Sequence, residues 1–421
     1  MSNLVKKKLG DFIEIITDYH SNGSYESLKN NVKLLYEKNY AIMVRTLNFE
    51  QNNFSDNLIY VDENAYNHLE KSKVKPYDIL MNKIANPGNV YLMPDLHCPV
   101  TCGMNLFLIR FNEKVDQKYM YYCMKYNEDY IKSFAHGTTT KTITKEEVKN
   151  IELFIHEDIN EQRKIAEYLH SITLKMENNS KIISTLLDLN AKIFNKMFFQ
   201  STIEKKKYIE QFNYNFPEEW EVIKLNEIIS LKKGISYKSE NLFSEGVPMI
   251  NLASFDINRN YKPSELKFIK NVNLNDKTCK SGDMLIACTD LTRNADIIGS
   301  PILVPNNIKN GTFSMDLCKV DIQDNRILPI YLYMWLRTDF YHEYIKGFAT
   351  GTNVMHLNTD GILNYNIVIP PKSLQILYKD NVTENFNKIE LIIQENDELV
   401  RLLQFSLESL MSGKAKIKEV E

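Results

Sequence analysis

The segment that decides the fold is residues 160–199, which read NEQRKIAEYLHSITLKMENNSKIISTLLDLNAKIFNKMFF. Its apolar residues alternate between gaps of four and three, and Asn179 and Asn190 fill the two positions that would otherwise be empty. This spacing is the heptad seam of a coiled coil, so it predicts one long helix with a narrow apolar stripe. The seam residues are Ile165, Leu169, Ile172, Met176, Ile183, Leu186, Ile193 and Met197.

The other end of the chain carries a matching stripe. An offset of 217 residues maps Asn179 onto Asn396 and Leu169 onto Phe386. The apolar residues of this second seam are Val382, Phe386, Ile389, Ile393, Val400, Leu403, Leu407 and Leu410. Either segment alone is equally consistent with an ordinary bundle helix. The matched pair predicts an intramolecular coiled coil, in which a seam Asn costs stability but fixes register. The pairing is antiparallel if the two globular segments lie at opposite ends.

The segments before the two helices also repeat. Met43–Phe49 matches Met249–Phe255, so that Arg45 corresponds to Asn251, and Tyr77–Leu80 matches Gly282–Leu285. The offsets stay between 205 and 217 residues, so the insertions are small. The order predicts a tandem duplication of a globular domain followed by a long helix. The expected segments are a first domain at 1–158, a long helix at 159–200, a linker at 201–215, a second domain at 216–372, a long helix at 373–413 and a tail at 414–421.

Composition indicates a soluble, two-domain protein. The chain has 421 residues, 43% hydrophobic and 25% charged, and no apolar run approaches the length of a membrane span. The N-terminus lacks the apolar core of a signal peptide, and six scattered cysteines suggest reduced thiols, so a cytoplasmic location is expected. The formal net charge of −3 gives no whole-chain sign of nucleic-acid binding, which therefore has to rest on local residues.

Several weak motifs occur in an informative order. They are Phe216-Pro217-Glu218-Glu219-Trp220-Glu221, Gly282-Asp283-Met284-Leu285, Gly351-Thr352, Ile369-Pro370-Pro371 and Asn160-Glu161-Gln162-Arg163-Lys164-Ile165. With this duplicated order over nearly its whole length, the chain resembles the specificity (S) subunit of a type I restriction-modification enzyme. It departs from the pattern in two places. The first half has Ile155-His156-Glu157 instead of Ile369-Pro370-Pro371, and the second helix opens with Leu374-Gln375, without an acidic residue before the Gln.

The resemblance implies a fold and a set of partners. The expected fold class is α+β, with two similar α/β target-recognition domains in tandem, two long helices forming an antiparallel coiled coil, and a pseudo-two-fold internal repeat. Each domain would read one half of a split site in double-stranded DNA. The helices would act as a spacer and as the platform for two methyltransferase (M) subunits, and restriction would need additional restriction (R) subunits. The S subunit itself would be non-catalytic and need no cofactor or metal.

Candidate DNA-binding residues lie on loops that recur at equivalent places in both halves but differ in chemistry. Arg suits guanine, Asn suits adenine, and Ser or Thr suits phosphates and methyl groups. The alternative for each loop is a solvated turn. The candidates of the first half are Asn22, Ser24, Tyr25, Arg45, Thr46, Lys83, Asn86, Thr138, Thr139, Thr140 and Lys141. Those of the second half are Ser236, Tyr237, Lys238, Asn251, Arg293, Asn294, Thr352 and Asn353.

Two other classes of function stay open on sequence grounds. A metal-dependent nuclease would use Asp95, Asp116 and Lys118, but such a site needs acidic groups that converge on a metal, and the second half has no equivalent set. A coiled-coil adaptor would bind proteins only. A methyltransferase is disfavoured, because Pro370-Pro371 lies between Ile369 and Lys372 instead of in a polar-Pro-Pro-aromatic motif.

Overall fold

The structure, a computed structural model, describes residues 4–200, 205–262, 266–291, 295–352 and 354–417. The chain divides into two units, which we call unit 1 (Met1–Lys175 with Arg401–Glu421) and unit 2 (Met176–Val400). Each of the two long helices contributes residues to both units. The finer domain bounds expected from sequence stay a prediction.

The first half of the chain contains ten strands and seven α-helices in its described residues. The strands are β1 (Leu4–Lys8), β2 (Ile13–Asp18), β3 (Ala41–Val44), β4 (Ile59–Val61), β5 (Lys73–Val74), β6 (Ile79–Asn82), β7 (Val90–Leu92), β8 (Val100–Cys102), β9 (Leu106–Phe111) and β10 (Glu152–His156). The helices are α1 (Tyr25–Asn31), α2 (Thr46–Glu50), α3 (Glu63–His68), α4 (Gln117–Tyr126), α5 (Glu128–Lys132), α6 (Lys145–Asn150) and the long α7 (Ile159–Phe198).

The described residues of the second half add more short strands and end in the second long helix. The strands are β11 (Lys206–Ile209), β12 (Tyr214–Pro217), β13 (Glu221–Lys224), β14 (Ile229–Lys233), β15 (Leu242–Phe243), β16 (Val247–Ile250), β17 (Lys267–Ile269), β18 (Thr278–Cys279), β19 (Met284–Ala287), β20 (Thr289–Asp290), β21 (Pro301–Leu303), β22 (Gly311–Phe313), β23 (Leu317–Ile322), β24 (Ala349–Thr350), β25 (Met355–Leu357) and β26 (Asn366–Ile369). The helices are α8 (Pro329–Trp335), α9 (Asp339–Lys346), α10 (Asp360–Leu363) and α11 (Lys372–Met411).

Three sheets recur in the same order in both units. The order β2-β9-β6-β7 in unit 1 corresponds to β14-β23-β19-β21 in unit 2, and β1-β10 corresponds to β13-β26. The third sheet has the order β4-β3-β8-β5 in unit 1 and β17-β16-β22-β18 in unit 2, where β15 is added at one edge. Its central pair is parallel in both units, whereas its other strand pairs are antiparallel. The predicted α+β class and internal repeat are confirmed.

One turn shows how different residues build the same backbone in the two units. Tyr77 and Gly282, which the sequence aligns, both have positive φ, at 66° and 82°. This conformation costs free energy for Tyr but little for Gly. The following aspartates fix the turn, because the Asp78 carboxylate accepts a hydrogen bond from the Lys75 amide at 2.6 Å. Asp283 does the same with the amide three residues before it, at 2.9 Å.

The long helices pair in antiparallel fashion. Within unit 1 the Tyr168 hydroxyl contacts Ser406 at 3.5 Å. Within unit 2 Asn179 contacts Asn396, and Asn190 contacts an earlier residue of α11, Asn385. As the number on α7 rises, the number of its partner on α11 falls, which confirms the predicted antiparallel pairing. No helix in the described part of the chain combines the length and the apolar character needed to cross a membrane.

The ends of the helix pair are built into the cores of the two units. The start of α7 and the end of α11 join the core of unit 1, where Leu169 and Leu410 are buried. The end of α7 and the start of α11 join the core of unit 2, where Phe194 and Tyr378 pack with both tryptophans of the chain. The helices therefore draw stability from each unit in addition to their mutual seam.

The seam departs from a strict heptad toward the end of α7. Leu186, Ile193 and Met197, the residues expected there, are only partly buried, whereas the residues that follow the first two, Leu187 and Phe194, are fully buried. An α-helix has 3.6 residues per turn, so its buried face drifts relative to a 3.5-residue repeat. Packing against the core of unit 2 replaces the narrow stripe in this region. The remaining seam residues on both helices are buried or half-buried.

Candidate nucleic-acid interface

Arg45 and Asn251 occupy the same place in the fold of their units. Arg45 directly follows β3 and precedes α2, and Asn251 directly follows β16, which is parallel to β22 as β3 is parallel to β8. Arg45 is half-buried. Asn251 is only 5% exposed, and its Oδ1 accepts a hydrogen bond from the Ala253 amide at 2.9 Å. The equivalence expected from sequence therefore exists in space, but Asn251 is more enclosed than a solvated turn residue.

The Asn251 side chain keeps one unused group. Its Nδ2 is buried and has no hydrogen-bond partner in the described part of the chain. A buried amide that donates no hydrogen bond costs about 1–3 kcal/mol. Such a group is available to a ligand only if a local rearrangement exposes it.

The side chain of Thr46, beside Arg45, is already hydrogen-bonded within the protein. Its hydroxyl donates a hydrogen bond of 2.5 Å to Oδ1 of Asn82, a residue that is 2% exposed. The Asn82 Nδ2 lies 3.3 Å from the Tyr91 hydroxyl. This chain of bonds orients the start of α2, so the structure gives Thr46 a positioning role.

Lys83 does not present a free charge. Its Nζ lies 2.5 Å from the Asp18 carboxylate, and Lys145 lies 3.0 Å from the same group. Burial alone would raise the pKa of Asp18, but hydrogen bonds from Lys83, Ser21 and Lys145 hold it well below its usual range. A carboxylate with two lysines leaves one net positive charge at this place. We call these three residues, Asp18, Lys83 and Lys145, the Asp18 cluster.

The loop of residues 136–142 lies beside the Asp18 cluster. Ile84 and Thr142 form an isolated antiparallel bridge, and the Ala85 amide donates to the Lys141 carbonyl at 3.1 Å. These bonds bring Asn86 and Thr138–Lys141, all exposed, to one part of the surface. Gly137 has a φ of 114°, and a Cβ there would lie 2.5 Å from the Thr140 carbonyl oxygen, so the loop requires glycine.

The segment of residues 22–25 divides into an inner and an outer part. Asn22 points inward, where its Nδ2 donates to Ser72 at 2.9 Å and its Oδ1 accepts from the Lys71 amide at 2.8 Å. Ser24 caps α1 by accepting from the Ser27 amide at 3.2 Å. Ser24 is exposed as well, and Tyr25, which is 80% exposed, presents the largest side-chain surface of this group to a partner.

The structure describes only some of the DNA-binding candidates of the second half. Ser236, Lys238 and Thr352 are exposed, and Lys238 lies 3.7 Å from Glu240. Tyr237 packs against Ile235 and its neighbours in a small apolar cluster. The remaining candidates, Arg293, Asn294 and Asn353, lie outside the described residues.

Sequence reasoning missed a second exposed tyrosine near Tyr25. Tyr36 is 81% exposed and follows α1, and Lys29 within α1 and Lys33 and Lys38 after it are also exposed. Unit 2 has fewer residues between the equivalent strands, β14 and β16. Aromatic residues interleaved with lysines are a recognised signal for nucleic-acid surfaces, and this signal was present in the sequence.

The residues of the nuclease hypothesis are engaged elsewhere. Asp116 caps α4 by accepting a hydrogen bond from the Tyr119 amide at 2.9 Å, and Lys118 lies over the Tyr77 ring at 4.0 Å. Asp95 accepts from the His97 amide. Among the described residues no group of three or more His, Cys, Asp or Glu side chains is arranged to hold a metal ion. The side chains of the three nuclease candidates therefore make contacts that stabilise the local structure.

Specificity subunits of type I enzymes share sequence and fold with this chain. The MjaVIII specificity subunit of Methanocaldococcus jannaschii is 23% identical over 315 residues, which cover 73% of this chain and 72% of that protein. The MjaIX specificity subunit of the same organism is 22% identical over 385 residues, covering 86% of this chain and 84% of that protein. The crystal structure of an S subunit from M. genitalium has a TM-score of 0.51 at 16% identity and covers 100% of this chain and 97% of that chain, which indicates a common fold.

A family-wide sequence model matches both halves of the chain. The type I restriction modification DNA specificity domain matches residues 1–188 and again residues 217–401. The two matches coincide with the two copies of the three-sheet arrangement. The chain therefore belongs to the family of type I restriction-modification specificity proteins.

Proposed function

We propose that the chain is the DNA sequence-recognition subunit of a type I restriction-modification system and that it binds a bipartite duplex target without catalysing a reaction itself. The observation that carries this proposal is the repetition of the family domain in one chain, with Arg45 and Asn251 at the same place in the two copies. Two domains of equal fold and different loop chemistry are what two readers of different half-sites require. Arg donates to guanine, whereas Asn pairs with adenine, which Asn251 can do once a local rearrangement exposes its amide.

The surroundings of Arg45 support base reading in unit 1. The exposed Asn86 and Thr138–Lys141 lie on loops tied together beside the Asp18 cluster, whose net charge is positive. Phosphate contacts from such a surface fix position and orientation, and base contacts supply the sequence preference. We assign the first task to the exposed loop residues and the second to Arg45.

The long helices supply surfaces for partner subunits. On α11, Leu377 and Leu391 of unit 2 are 54% and 66% exposed, and Phe405 of unit 1 is 70% exposed. They recur every fourteen residues, at one heptad position on the side away from the seam. Exposed apolar residues in such a row mark protein interaction sites. We propose that each unit docks one methyltransferase subunit through this face, giving two such subunits per chain.

The test is to map methylated DNA positions in the source cells with and without this chain, using the complex with its methyltransferase subunit. Exchanging residues 1–157 for the corresponding domain of a relative is expected to change one half of the methylated motif and to preserve the other half. The matched control exchanges the second domain and is expected to change the opposite half. A change of both half-sites, or of neither, would contradict the modular reading.

Divalent-metal-dependent DNA cleavage by the isolated chain would instead support the nuclease hypothesis. Full methylation in cells that lack the chain would support a protein-binding adaptor.

A further inference from the structure

Unit 1 contains a cavity of about 420 Å³ beside Arg45. Its walls are mostly apolar and come from Leu34, Met43, Ile59 and Met104. Arg45 and Glu50 line it as well, and both belong to the segment that begins and ends α2. A concave apolar site with a few polar groups is the usual form of a small-ligand pocket, for which about 300–1,000 Å³ is typical.

The cavity lies at the carboxyl ends of the two parallel strands of its sheet. Arg45 follows β3, and Gly103 and Met104 follow β8. The Gly103 amide donates to the Val44 carbonyl at 2.8 Å, and a Cβ on Gly103 would lie 2.7 Å from that oxygen. Glycine thus permits the two strand ends to close together and brings Met104 to the rim. Ligands of sheets with parallel strands commonly bind at this edge.

Arg45 and Glu50 provide opposite hydrogen-bonding groups. Within the described part of the chain the Arg45 guanidinium makes one hydrogen bond, which runs from Nη2 to the Asn57 carbonyl at 3.4 Å, and its Nε is buried without a partner. Glu50 is exposed and ends α2, about 7.5 Å from Arg45 along the helix axis. The cavity therefore has a guanidinium on one side, whose Nη groups make one long hydrogen bond to the protein, and a carboxylate acceptor on the other.

We propose that this cavity binds a guanine base, with Arg45 donating to N7 and O6 and Glu50 accepting from N1–H and the 2-amino group. Guanine has two adjacent acceptors on one edge and two adjacent donors on another, which match a guanidinium fork and a carboxylate. Adenine lacks the paired acceptors, and cytosine and thymine lack the second edge. The apolar side chains of Leu34 and Met104 cover the flat faces of the ring.

The guanine comes from one of two sources. It is either extruded from the DNA target, in which case the inference rests on the proposed function, or supplied by a free guanine nucleotide, in which case it does not. Extrusion requires unstacking and unpairing, which cost a few kcal/mol. In both cases the recognised chemistry is that of the base.

The first experiment measures binding of dGMP, dAMP, dCMP and dTMP to the full chain by ligand-observed NMR at millimolar concentration. Selective binding of dGMP is expected. Arg45→Met keeps the length and apolar character of the side chain but removes its donors, so it should weaken dGMP binding about tenfold or more. Glu50→Gln should also weaken it, and Arg401→Met, at an exposed position on α11, should not. Equal binding of the four nucleotides, or binding of none, would overturn the proposal.

The second experiment identifies the source. Duplexes that contain the mapped target, with pyrrolocytosine opposite one guanine at a time, are mixed with the complete methyltransferase complex. Brighter emission at one position, lost in Arg45→Met, identifies a base extruded into the cavity, and dGMP binding without this signal identifies a free nucleotide. If Arg45→Met changes the methylated motif but dGMP does not bind and no base is extruded, the cavity proposal fails while the proposed function stands.

Discussion

The buried Asn179–Asn396 pair offers a direct measure of what the helix seam contributes. The two side chains are 1% and 4% exposed, and the Asn179 Nδ2 donates to the Asn396 Oδ1 at 2.8 Å and to Glu395 at 2.7 Å. Replacing both asparagines with leucine removes this polar pair and makes the seam apolar at these two positions. We expect the double variant to be more stable than the wild type. The register of the two helices should be less strictly fixed, because a polar pair in the seam specifies it.

The magnitude follows from burial and from the bonds that are lost. Two buried leucine side chains contribute about 3–6 kcal/mol. The two lost hydrogen bonds cost about 2 kcal/mol, which leaves a gain of about 1–4 kcal/mol. In Asn179→Leu alone, Asn396 keeps a buried amide without its donor, at a further cost of about 1–3 kcal/mol. Each single variant should therefore fall near or below the wild type, and the double-mutant cycle should show clear coupling.

Urea unfolding followed by tryptophan fluorescence is the assay. Both tryptophans of the chain, Trp220 and Trp335, lie in the core of unit 2, the unit that also contains both asparagines. The signal therefore reports the unit under test and not the unfolding of unit 1. The matched control is Asn178→Leu at the adjacent exposed position, which should change stability little. A double variant less stable than either single variant would refute the reasoning.

Three further predictions concern two buried glutamines, a buried histidine and the glycine of an exposed loop. Gln162→Leu and Gln375→Leu should each destabilise their unit by about 2–4 kcal/mol, because each Gln accepts a hydrogen bond from a backbone amide and donates one to a backbone carbonyl. Tryptophan fluorescence measures the effect of Gln375→Leu in unit 2, and far-UV circular dichroism measures that of Gln162→Leu in unit 1. Burial of His342, aided by nearby Arg259, lowers its pKa to about 4, so stability of unit 2 should be full above about pH 6.5 and fall as pH decreases toward 4. His342→Leu should flatten the dependence of the urea midpoint on pH over this range. Gly137→Ala should weaken DNA binding by the complex in a mobility-shift assay with little loss of secondary structure, because the strain stays in one exposed loop.

The parts of the fold that sequence predicts are those governed by periodicity and repetition. The four-three spacing located both long helices, and the shared offset identified Asn179 and Asn396 as equivalent seam residues, which the structure joins by a hydrogen bond. The same comparison matched Arg45 with Asn251, and both follow a strand of a parallel pair. Such features depend on a local pattern, which a single sequence contains in full.

Features that depend on a long-range partner could not be predicted. The heptad spacing placed Asn190 in the seam of the first long helix. Its hydrogen-bond partner, Asn385, is not a seam residue of the second helix and lies beside the apolar stripe. The neutralisation of Lys83 by Asp18 joins residues 65 positions apart in sequence. The cavity beside Arg45 is formed by segments that only the fold brings together. No spacing rule connects these groups, so their geometry had to come from the structure.

The two units retain one scaffold while differing in charge at an equivalent place. Asp18 is the last residue of β2, and the last residue of its counterpart β14 is Lys233. In unit 1 the Asp18 carboxylate pairs with Lys83 and Lys145. Replacing Asp18 alone with the lysine found at this place in unit 2 would therefore bring three like charges together. The exchangeable element is the Asp18 cluster together with its loops, which is why recognition should transfer between relatives by whole domains and not by single loops.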